Sequence, residues 1–349
     1  MLDFTSALYL GQGFATSNIS SGIPLTTGKP AALCETGLNK WVAQKIAKMQ
    51  GMERGIIAPS ALHLFWDIFG MTEVHDIIFI DAAAYPISEW GSIRAISKQI
   101  QVIKFKAHDS KDLHNLLKIH CKKHQKPIII CDGWSIDLGK ISPLKEYLFM
   151  AKKYDGKLLL DDTQAFGIFG KKPTAHQVFG VGGGGSLAHL GLYSPRILSI
   201  VSLSKSFGVP VSVLSGNAEN LKKFTQKSDT RIHTSQVSNL YAISVANVLK
   251  INQLYGNLLR NKLLKNILFF QQILAKNKDI QVLGGLFPVQ QIVVQNSHFS
   301  PQKLHTILEK KGIESLLLAP LRQFELPRIG FCIRADHTAN ELLKIAEIL

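Results

Sequence analysis

The sequence predicts an α/β protein with a mostly parallel sheet, and two observations carry that prediction. Short runs of Ile, Val and Leu recur through the middle of the chain without the alternation of a half-exposed strand, as is typical of strands buried on both faces. Helical patterns lie between these runs, and strands that alternate with helices form βαβ units whose strands pair in parallel. The predicted strands cover residues 76–81, 101–105, 127–133, 157–162, 197–203 and 210–216.

The helices are predicted from apolar residues that recur at intervals of three or four positions. Residues 110–124 show this pattern, and residues 142–153 begin with Ser142 as an N-cap and Pro143 in the first helical position. Residues 238–275 are predicted to form a long amphipathic helix or a pair of helices. Shorter elements follow, with strands at 281–285, 289–295 and 328–334, and helices at 301–311 and 338–349, the last with Thr338 as its cap.

The change of pattern near residue 235 divides the chain into domains. At 349 residues the chain is long enough for about two domains, each with a buried core. We expect an N-terminal arm over residues 1–37, a large α/β domain over 38–240, and a smaller C-terminal α/β domain over 241–349 that includes the long helix as a hinge.

Composition excludes a mainly disordered chain, since 46% of the residues are hydrophobic and 19% are charged. The formal net charge of +15 favours anionic partners such as phosphates, coenzyme A, nucleic acid or acidic lipid, and by itself it does not choose among them. We expect no nucleic acid as a partner, because the paired lysines lack interleaved aromatic residues and a recognised binding module. The four cysteines stand without CxxC spacing, so we expect a reducing compartment and no metal site. No signal peptide or membrane span is evident, which predicts a cytoplasmic protein.

Two segments carry residues suited to chemistry. Asp161 and Asp162 directly follow a buried run in LLLDDTQAFGIFG (158–170), and Lys205 follows another in VSLSKSFGVPVSVLSG (201–216). Ligands gather at the carboxyl ends of strands in open α/β sheets. A desolvated lysine at such an end can form a Schiff base, and an aspartate on a neighbouring strand can hold a protonated pyridine nitrogen. Pyridoxal phosphate needs this pair of residues, so the sequence predicts a site for that cofactor.

Six motifs follow one another along nearly the whole chain: LDFTSALYLG (2–11), CDGWSIDLGKISPL (131–144), LLLDDTQAFGIFG (158–170), SLSKSFG (202–208), RIHTSQ (231–236) and IRADHT (333–338). In that order they resemble the motifs of the α-oxoamine synthases, most closely those of the 8-amino-7-oxononanoate synthase group. The resemblance implies the fold of the fold-type I pyridoxal phosphate-dependent transferases. It also implies a homodimer with shared active sites, in which Thr234 reaches the phosphate of the cofactor in the neighbouring subunit.

The resemblance assigns roles to individual residues of this chain. Lys205 is implied to carry pyridoxal phosphate as a Schiff base, and Asp161 to face the pyridine nitrogen and keep it protonated. Ser202 stands where the family binds the cofactor phosphate with a hydroxyl. Ser60 and Ala61 stand where backbone amides at the start of a helix surround the same phosphate.

Several positions depart from the motifs of the family. Tyr85 stands where the family has the histidine that stacks on the cofactor ring, and Gln164 where it has the histidine that contacts the ring oxygen. An aromatic ring can still stack, and an amide can donate a hydrogen bond but cannot titrate. Arg322 is the candidate for binding the substrate carboxylate, with Arg328 and Arg334 as alternatives.

The reaction implied by the resemblance is acyl transfer from a coenzyme A thioester to a small amino acid, with loss of carbon dioxide. On this likeness alone, the protein would act in biotin biosynthesis. Two alternatives stay open. One is an aminotransferase or amino-acid decarboxylase on the same scaffold, favoured by the aromatic residue Tyr85. The other is a cofactor-binding protein with weak catalysis, favoured by the loss of both histidines. The sequence identifies neither the amino acid nor the acyl chain.

Overall fold

A computed structural model describes residues 1–11, 24–294, 300–320 and 327–349 of the protein. These residues form two compact units. The larger unit contains residues 24–135 and 141–253, and the smaller contains residues 1–11, 136–140 and the described part of 254–349. The boundaries drawn from the sequence for an arm, a large domain and a small domain stay a prediction.

Strands and helices alternate through most of the larger unit. In chain order the described strands are β1 (Leu2–Asp3), β2 (Arg54–Ala58), β3 (Asp76–Asp81), β4 (Val102–Phe105), β5 (Lys126–Asp132), β6 (Trp134–Ser135), β7 (Lys140–Ile141), β8 (Lys157–Asp161), β9 (Ile197–Ser202), β10 (Ser212–Gly216), β11 (Ile280–Leu283), β12 (Val289–Val294), β13 (Ile313–Glu314), β14 (Leu316–Leu318) and β15 (Arg328–Cys332). The described helices are α1 (Gly37–Gln50), α2 (Ala61–Gly70), α3 (Pro86–Ile96), α4 (Ser110–His120), α5 (Leu144–Lys153), α6 (Gly185–Leu190), α7 (Ala218–Lys227), α8 (Asp229–His233), α9 (Asn239–Leu274), α10 (Pro301–Lys310) and α11 (Ala339–Ala346). None of these described helices combines the length and the apolar character that crossing a membrane requires.

Seven strands of the larger unit form one sheet in the order β2–β10–β9–β8–β5–β3–β4. β10 is antiparallel to both of its neighbours, and every other neighbouring pair is parallel. All six strands predicted from the apolar runs lie in this sheet, and the mostly parallel arrangement is confirmed. The smaller unit has its own antiparallel sheet in the order β11–β12–β15–β14.

Apolar side chains cover both faces of the seven-stranded sheet, which explains why its strands lack alternation. In β3, Ile77 and Phe79 belong to one buried cluster, whereas Ile78 and Ile80 belong to another. All four side chains are at most 1% exposed. The strands are therefore held on both sides, and so are the residues at their ends.

One helix begins later than the sequence predicts. α5 starts at Leu144 with Pro143 at its N-cap, so the prediction of Ser142 as the cap is wrong. The Ser142 hydroxyl donates instead to the carbonyl of Asp132 at 2.6 Å and lies 2.8 Å from the His108 ring nitrogen Nε2. The side chain is thus used to hold the end of β5.

The later helices agree with prediction more closely. α9 is a single helix of 36 residues, which decides between the two alternatives for residues 238–275. Thr338 caps α11 as predicted, because its hydroxyl accepts from the backbone of Glu341 while the Glu341 side chain accepts from the backbone of Thr338.

Asp162 joins the end of β8 to the start of α6. Its carboxylate accepts hydrogen bonds from the backbone amide of Ser186 at 2.9 Å and from the Ser186 hydroxyl at 2.6 Å. Gly133 and Gly185 approach this carboxylate so closely that a Cβ atom at either position would overlap it. Gly185 also has a φ of +87°, which L-residues rarely adopt. The second aspartate of the pair is therefore an anchor of the fold.

We expect Gly185→Ala to lower the free energy of unfolding by about 2 to 4 kcal/mol, because the added methyl group overlaps the Asp162 carboxylate and strains the backbone. Gly182→Ala is the matched control, since Gly182 has the same φ of +87° but open space around its Cβ position. The control should cost only about 1 kcal/mol. Chemical denaturation followed by circular dichroism measures both, and equal losses would contradict the role given to Asp162.

Candidate active site

Four neighbouring strands of the larger unit end in polar side chains. Asp81 ends β3, Asp132 ends β5, Asp161 ends β8 and Ser202 ends β9. Because these strands are parallel and adjacent, their carboxyl ends meet at one edge of the sheet. Lys205 lies on the turn three residues beyond β9. The structure therefore brings together the lysine and the aspartate that the sequence predicts as a pair.

Asp161 is a buried carboxylate with a neighbouring amine. Its side chain is 8% exposed, and Oδ1 accepts a hydrogen bond from the backbone amide of Thr163 at 3.0 Å. Burial raises the pKa of Asp161, although the hydrogen bonds from Thr163 and the positive charge of Lys205 oppose that rise. A cation close to Asp161 thus stabilises its ionised form.

Asp132 is a second carboxylate at this edge, which the sequence analysis did not assign to the site. It lies opposite Asp161 in the register of β5 and β8, and both of its carboxylate oxygens lie 3.1 Å from the backbone nitrogen of Tyr85. Burial raises the pKa of Asp132 well above its usual range, and the charge of Asp161 raises it further, whereas the Tyr85 amide and Lys205 lower it. Within the described residues, no group of three or more His, Cys, Asp or Glu side chains could hold a metal ion.

Lys205 and Tyr85 lie on facing segments of the site. The Lys205 ammonium nitrogen is 5.8 Å from the centroid of the Tyr85 ring. Tyr85 stands at the N-cap of α3, and its side chain is 57% exposed, so the ring is accessible to a ligand. Gly167, with a φ of +87°, packs so closely on Ser206 that a Cβ atom there would overlap it. This contact holds the loop after Asp161 against the turn that carries Lys205.

Ser202 and the start of α2 lie on the same side of the site. β10 separates β2 from β9, and Ser212 of β10 is opposite both Ala58 of β2 and Ser202 of β9. Residues directly opposite each other in antiparallel pairs project to the same face. α2 begins at Ala61, three residues after β2 ends, so its first turn follows Ala58 closely.

The hydroxyl groups of this region make local contacts. Ser202 Oγ lies 2.9 Å from Ser204 Oγ. Ser60 occupies the N-cap of α2, but its hydroxyl lies 2.8 Å from the ring nitrogen Nδ1 of His63 and makes no capping hydrogen bond. The first backbone amides of α2, beginning at Ala61, therefore have no side-chain cap.

The remaining predicted residues are placed differently. Gln164 is 8% exposed on the loop after Asp161. The hydroxyl of Thr234 donates to the carbonyl of Thr230 at 2.7 Å within its own chain. Arg322 lies outside the described residues.

The two alternatives to Arg322 are engaged with carboxylates of the smaller unit. The guanidinium of Arg328 lies 3.1 Å from a carboxylate oxygen of Asp137. Arg334 lies 2.7 Å from Asp3 and 3.1 Å from Asp336. Both arginines therefore already have anionic partners, which disfavours either of them as the group that binds the substrate carboxylate.

The family model for class I and II aminotransferases matches residues 68–349 of this chain. The chain belongs to that family. Its members are pyridoxal phosphate-dependent transferases, so the predicted class of enzyme and the predicted cofactor are confirmed at the level of the family.

Curated relatives of this chain are named 8-amino-7-oxononanoate synthase, which is the group that its motifs resemble. The 8-amino-7-oxononanoate synthase of Thermosipho melanesiensis is 26% identical over 239 residues, which cover 68% of this chain and 58% of that protein. The putative 8-amino-7-oxononanoate synthase of Acaryochloris marina is 23% identical over 357 residues, covering 98% of this chain and 86% of that protein. The chain thus spans little more than half the length of the first of these relatives. The predicted resemblance to the α-oxoamine synthases is confirmed.

Solved structures share the fold. The serine palmitoyltransferase of Sphingomonas wittichii has a TM-score of 0.83 at 16% identity, over 98% of this chain and 84% of that one. The 8-amino-7-oxononanoate synthase of Francisella tularensis has a TM-score of 0.72 at 21% identity, over 99% of this chain and 96% of that one. The predicted fold class, that of the fold-type I transferases, is confirmed.

We expect Asp162 to contribute a loss of stability to the cofactor-free protein as the pH rises from about 4 to about 7. Burial raises the pKa of Asp162 from 3.8 to about 7. The folded protein therefore keeps a proton that the unfolded chain releases, and the stability gained at low pH is lost as the pH rises through that window. Asp162→Asn removes this contribution, which at about 1.4 kcal/mol per pH unit amounts to at most about 4 kcal/mol.

Asp155→Asn is the control for this experiment. Asp155 is exposed, and hydrogen bonds from Arg196 and Lys126 lower its pKa. In the folded protein its carboxylate is therefore ionised throughout the window, and its replacement should leave the slope of stability against pH unchanged above about pH 5, where the unfolded chain is ionised as well. Denaturant unfolding at several pH values measures these slopes, and a wild-type slope in Asp162→Asn would contradict the account of this residue.

Proposed function

We propose that the protein is a pyridoxal phosphate-dependent acyltransferase of the α-oxoamine synthase type. It would join a small amino acid to the acyl group of a coenzyme A thioester with loss of carbon dioxide, the reaction that the resemblance to 8-amino-7-oxononanoate synthases implies. The observation that carries the proposal is the buried carboxylate of Asp161 beside the amine of Lys205, on the ends of adjacent parallel strands.

The donor set at this edge fits the ring of the cofactor. Asp132 and Asp161 are two buried carboxylates whose ionised forms are costly in a desolvated site. A protonated pyridine nitrogen beside Asp161 supplies a cation that offsets this cost. The Tyr85 ring, 5.8 Å from the Lys205 amine, offers an accessible aromatic face for stacking.

The phosphate group of the cofactor fits the edge between Ser202 and α2. The first amides of α2 have no side-chain cap, and uncapped amides at a helix N-terminus favour a bound anion. Ser60 and Ala61 would donate through their backbone amides, and Ser202 through its hydroxyl.

In this site the bound cofactor supplies an electron sink for the negative charge that develops at the α-carbon of the amino acid. Lys205 would hold the cofactor before the substrate arrives, and its amine would then take the proton from the α-carbon. Asp161 would keep a proton on the pyridine nitrogen. Gln164 can donate a hydrogen bond to the ring oxygen but cannot exchange a proton, so proton transfer at the α-carbon rests on Lys205.

The partners and the assembly belong to the same proposal. The net charge of +15 suits the phosphates of a coenzyme A ester, and Arg322 is the proposed contact for the carboxylate of the amino acid. A homodimer would bring Thr234 to the phosphate site of the neighbouring subunit. A cytoplasmic location and a place in biotin biosynthesis follow from the likeness to 8-amino-7-oxononanoate synthases.

An aminotransferase or amino-acid decarboxylase is the second candidate. Tyr85 favours it, because an aromatic ring stands where the α-oxoamine synthases have an imidazole. A protein that binds the cofactor but catalyses weakly is the third, since Tyr85 and Gln164 replace both histidines of the family motifs.

We expect the protein loaded with pyridoxal phosphate to release free coenzyme A thiol from pimeloyl-coenzyme A when alanine is present. Other amino acids and acyl chain lengths form the rest of the screen, and a thiol reagent follows the reaction. Lys205→Ala should lower the rate by about 10³-fold or more, because it removes the group that moves the proton at the α-carbon.

Each alternative gives a different result in the same assay. Release of a keto acid without thiol supports the aminotransferase and contradicts the acyltransferase. A bound cofactor with visible absorbance but no turnover of any substrate supports the weak catalyst. Protein that stays colourless after addition of pyridoxal phosphate contradicts all three candidates.

A further inference from the structure

The segment that carries Tyr85 is held at both of its ends by carboxylates. It connects β3 to α3, and Asp81 at its start accepts a hydrogen bond from the backbone amide of Ala83 at 2.8 Å. At its end the backbone amide of Tyr85 lies 3.1 Å from each carboxylate oxygen of Asp132, which comes from the neighbouring strand β5. Pro86 follows and has no backbone N–H. The Tyr85 amide is thus the donor that ties this end of the segment to the sheet.

Asp132 is itself fixed from the opposite side. Its carbonyl oxygen accepts a hydrogen bond from the Ser142 hydroxyl at 2.6 Å, and the Ser142 oxygen lies 2.8 Å from Nε2 of His108. In the sheet Asp132 lies opposite Asp161. The carboxylate therefore projects from a backbone with little freedom to move, so it can determine where the Tyr85 amide lies.

We propose that Asp132 is a positioning residue, which places the Tyr85 ring over the Lys205 amine. This inference rests on the proposed function and deepens it. It assigns a positioning role to a carboxylate that lies within one of the motifs but has no such role in the resemblance or in the proposed reaction.

Two substitutions of Asp132 test this role. Asp132→Asn keeps an oxygen that can accept from the Tyr85 amide, whereas Asp132→Ala removes it. Asp67→Asn is the matched control, because Asp67 is a buried carboxylate that accepts hydrogen bonds from the backbone and hydroxyl of Thr230, away from this edge of the sheet. All variants are loaded with pyridoxal phosphate and compared with the wild type.

The measurement is the visible circular dichroism of the cofactor, which reports how its ring is held. Asp132→Asn and Asp67→Asn should retain the signal, whereas Asp132→Ala should lose part of it as the Tyr85 ring becomes less ordered. In a Tyr85→Ala background, Asp132→Ala should cause no further loss, because the two residues act through one contact. A full additional loss there would overturn the positioning role.

These results distinguish the inference from the proposed function. A coloured wild type whose Asp132 variants all behave like Asp67→Asn contradicts the inference and leaves the proposed function intact. A wild type that stays colourless with pyridoxal phosphate contradicts both.

Discussion

Burial of negative charge at the carboxyl edge of a parallel sheet is the constraint on which the rest of the site depends. Asp132 and Asp161 lie opposite each other on adjacent strands, and burial disfavours the ionised form of each. The amine of Lys205 favours both ionised forms. A cofactor that attaches to the lysine and brings a protonated ring nitrogen to this edge also supplies a positive charge, which stabilises the ionised carboxylates.

The fold makes this arrangement possible at a cost in stability. Apolar clusters cover both faces of the sheet, so the strands cannot shift to relieve repulsion among the carboxylates at their ends. Asp162, which takes no part in the proposed chemistry, adds another buried carboxyl group and uses it to hold α6. Glycine at positions 133 and 185 gives this carboxylate the space it needs.

The parts that the sequence predicts are those with a local signal. Each predicted strand is a continuous apolar run, and Asp161 and Lys205 follow such runs directly. Asp132 has the same local signal, but its bond to Tyr85 joins residues 47 positions apart, and no periodicity reveals it. Serine commonly caps helices, yet the Ser142 hydroxyl donates instead to the carbonyl of Asp132 at the end of β5. Arg334 pairs with Asp3 across 331 positions, so its engagement could not be predicted either.

Borohydride reduction of the protein loaded with pyridoxal phosphate, followed by peptide mapping, tests the central claim most directly. The claim is that this edge of the sheet holds one amine where the aldehyde of the cofactor can condense with it. The account predicts a single reduced adduct on the peptide that contains Lys205, and none at that position in Lys205→Ala. An unmodified Lys205, or a stoichiometric adduct on another lysine, would contradict it.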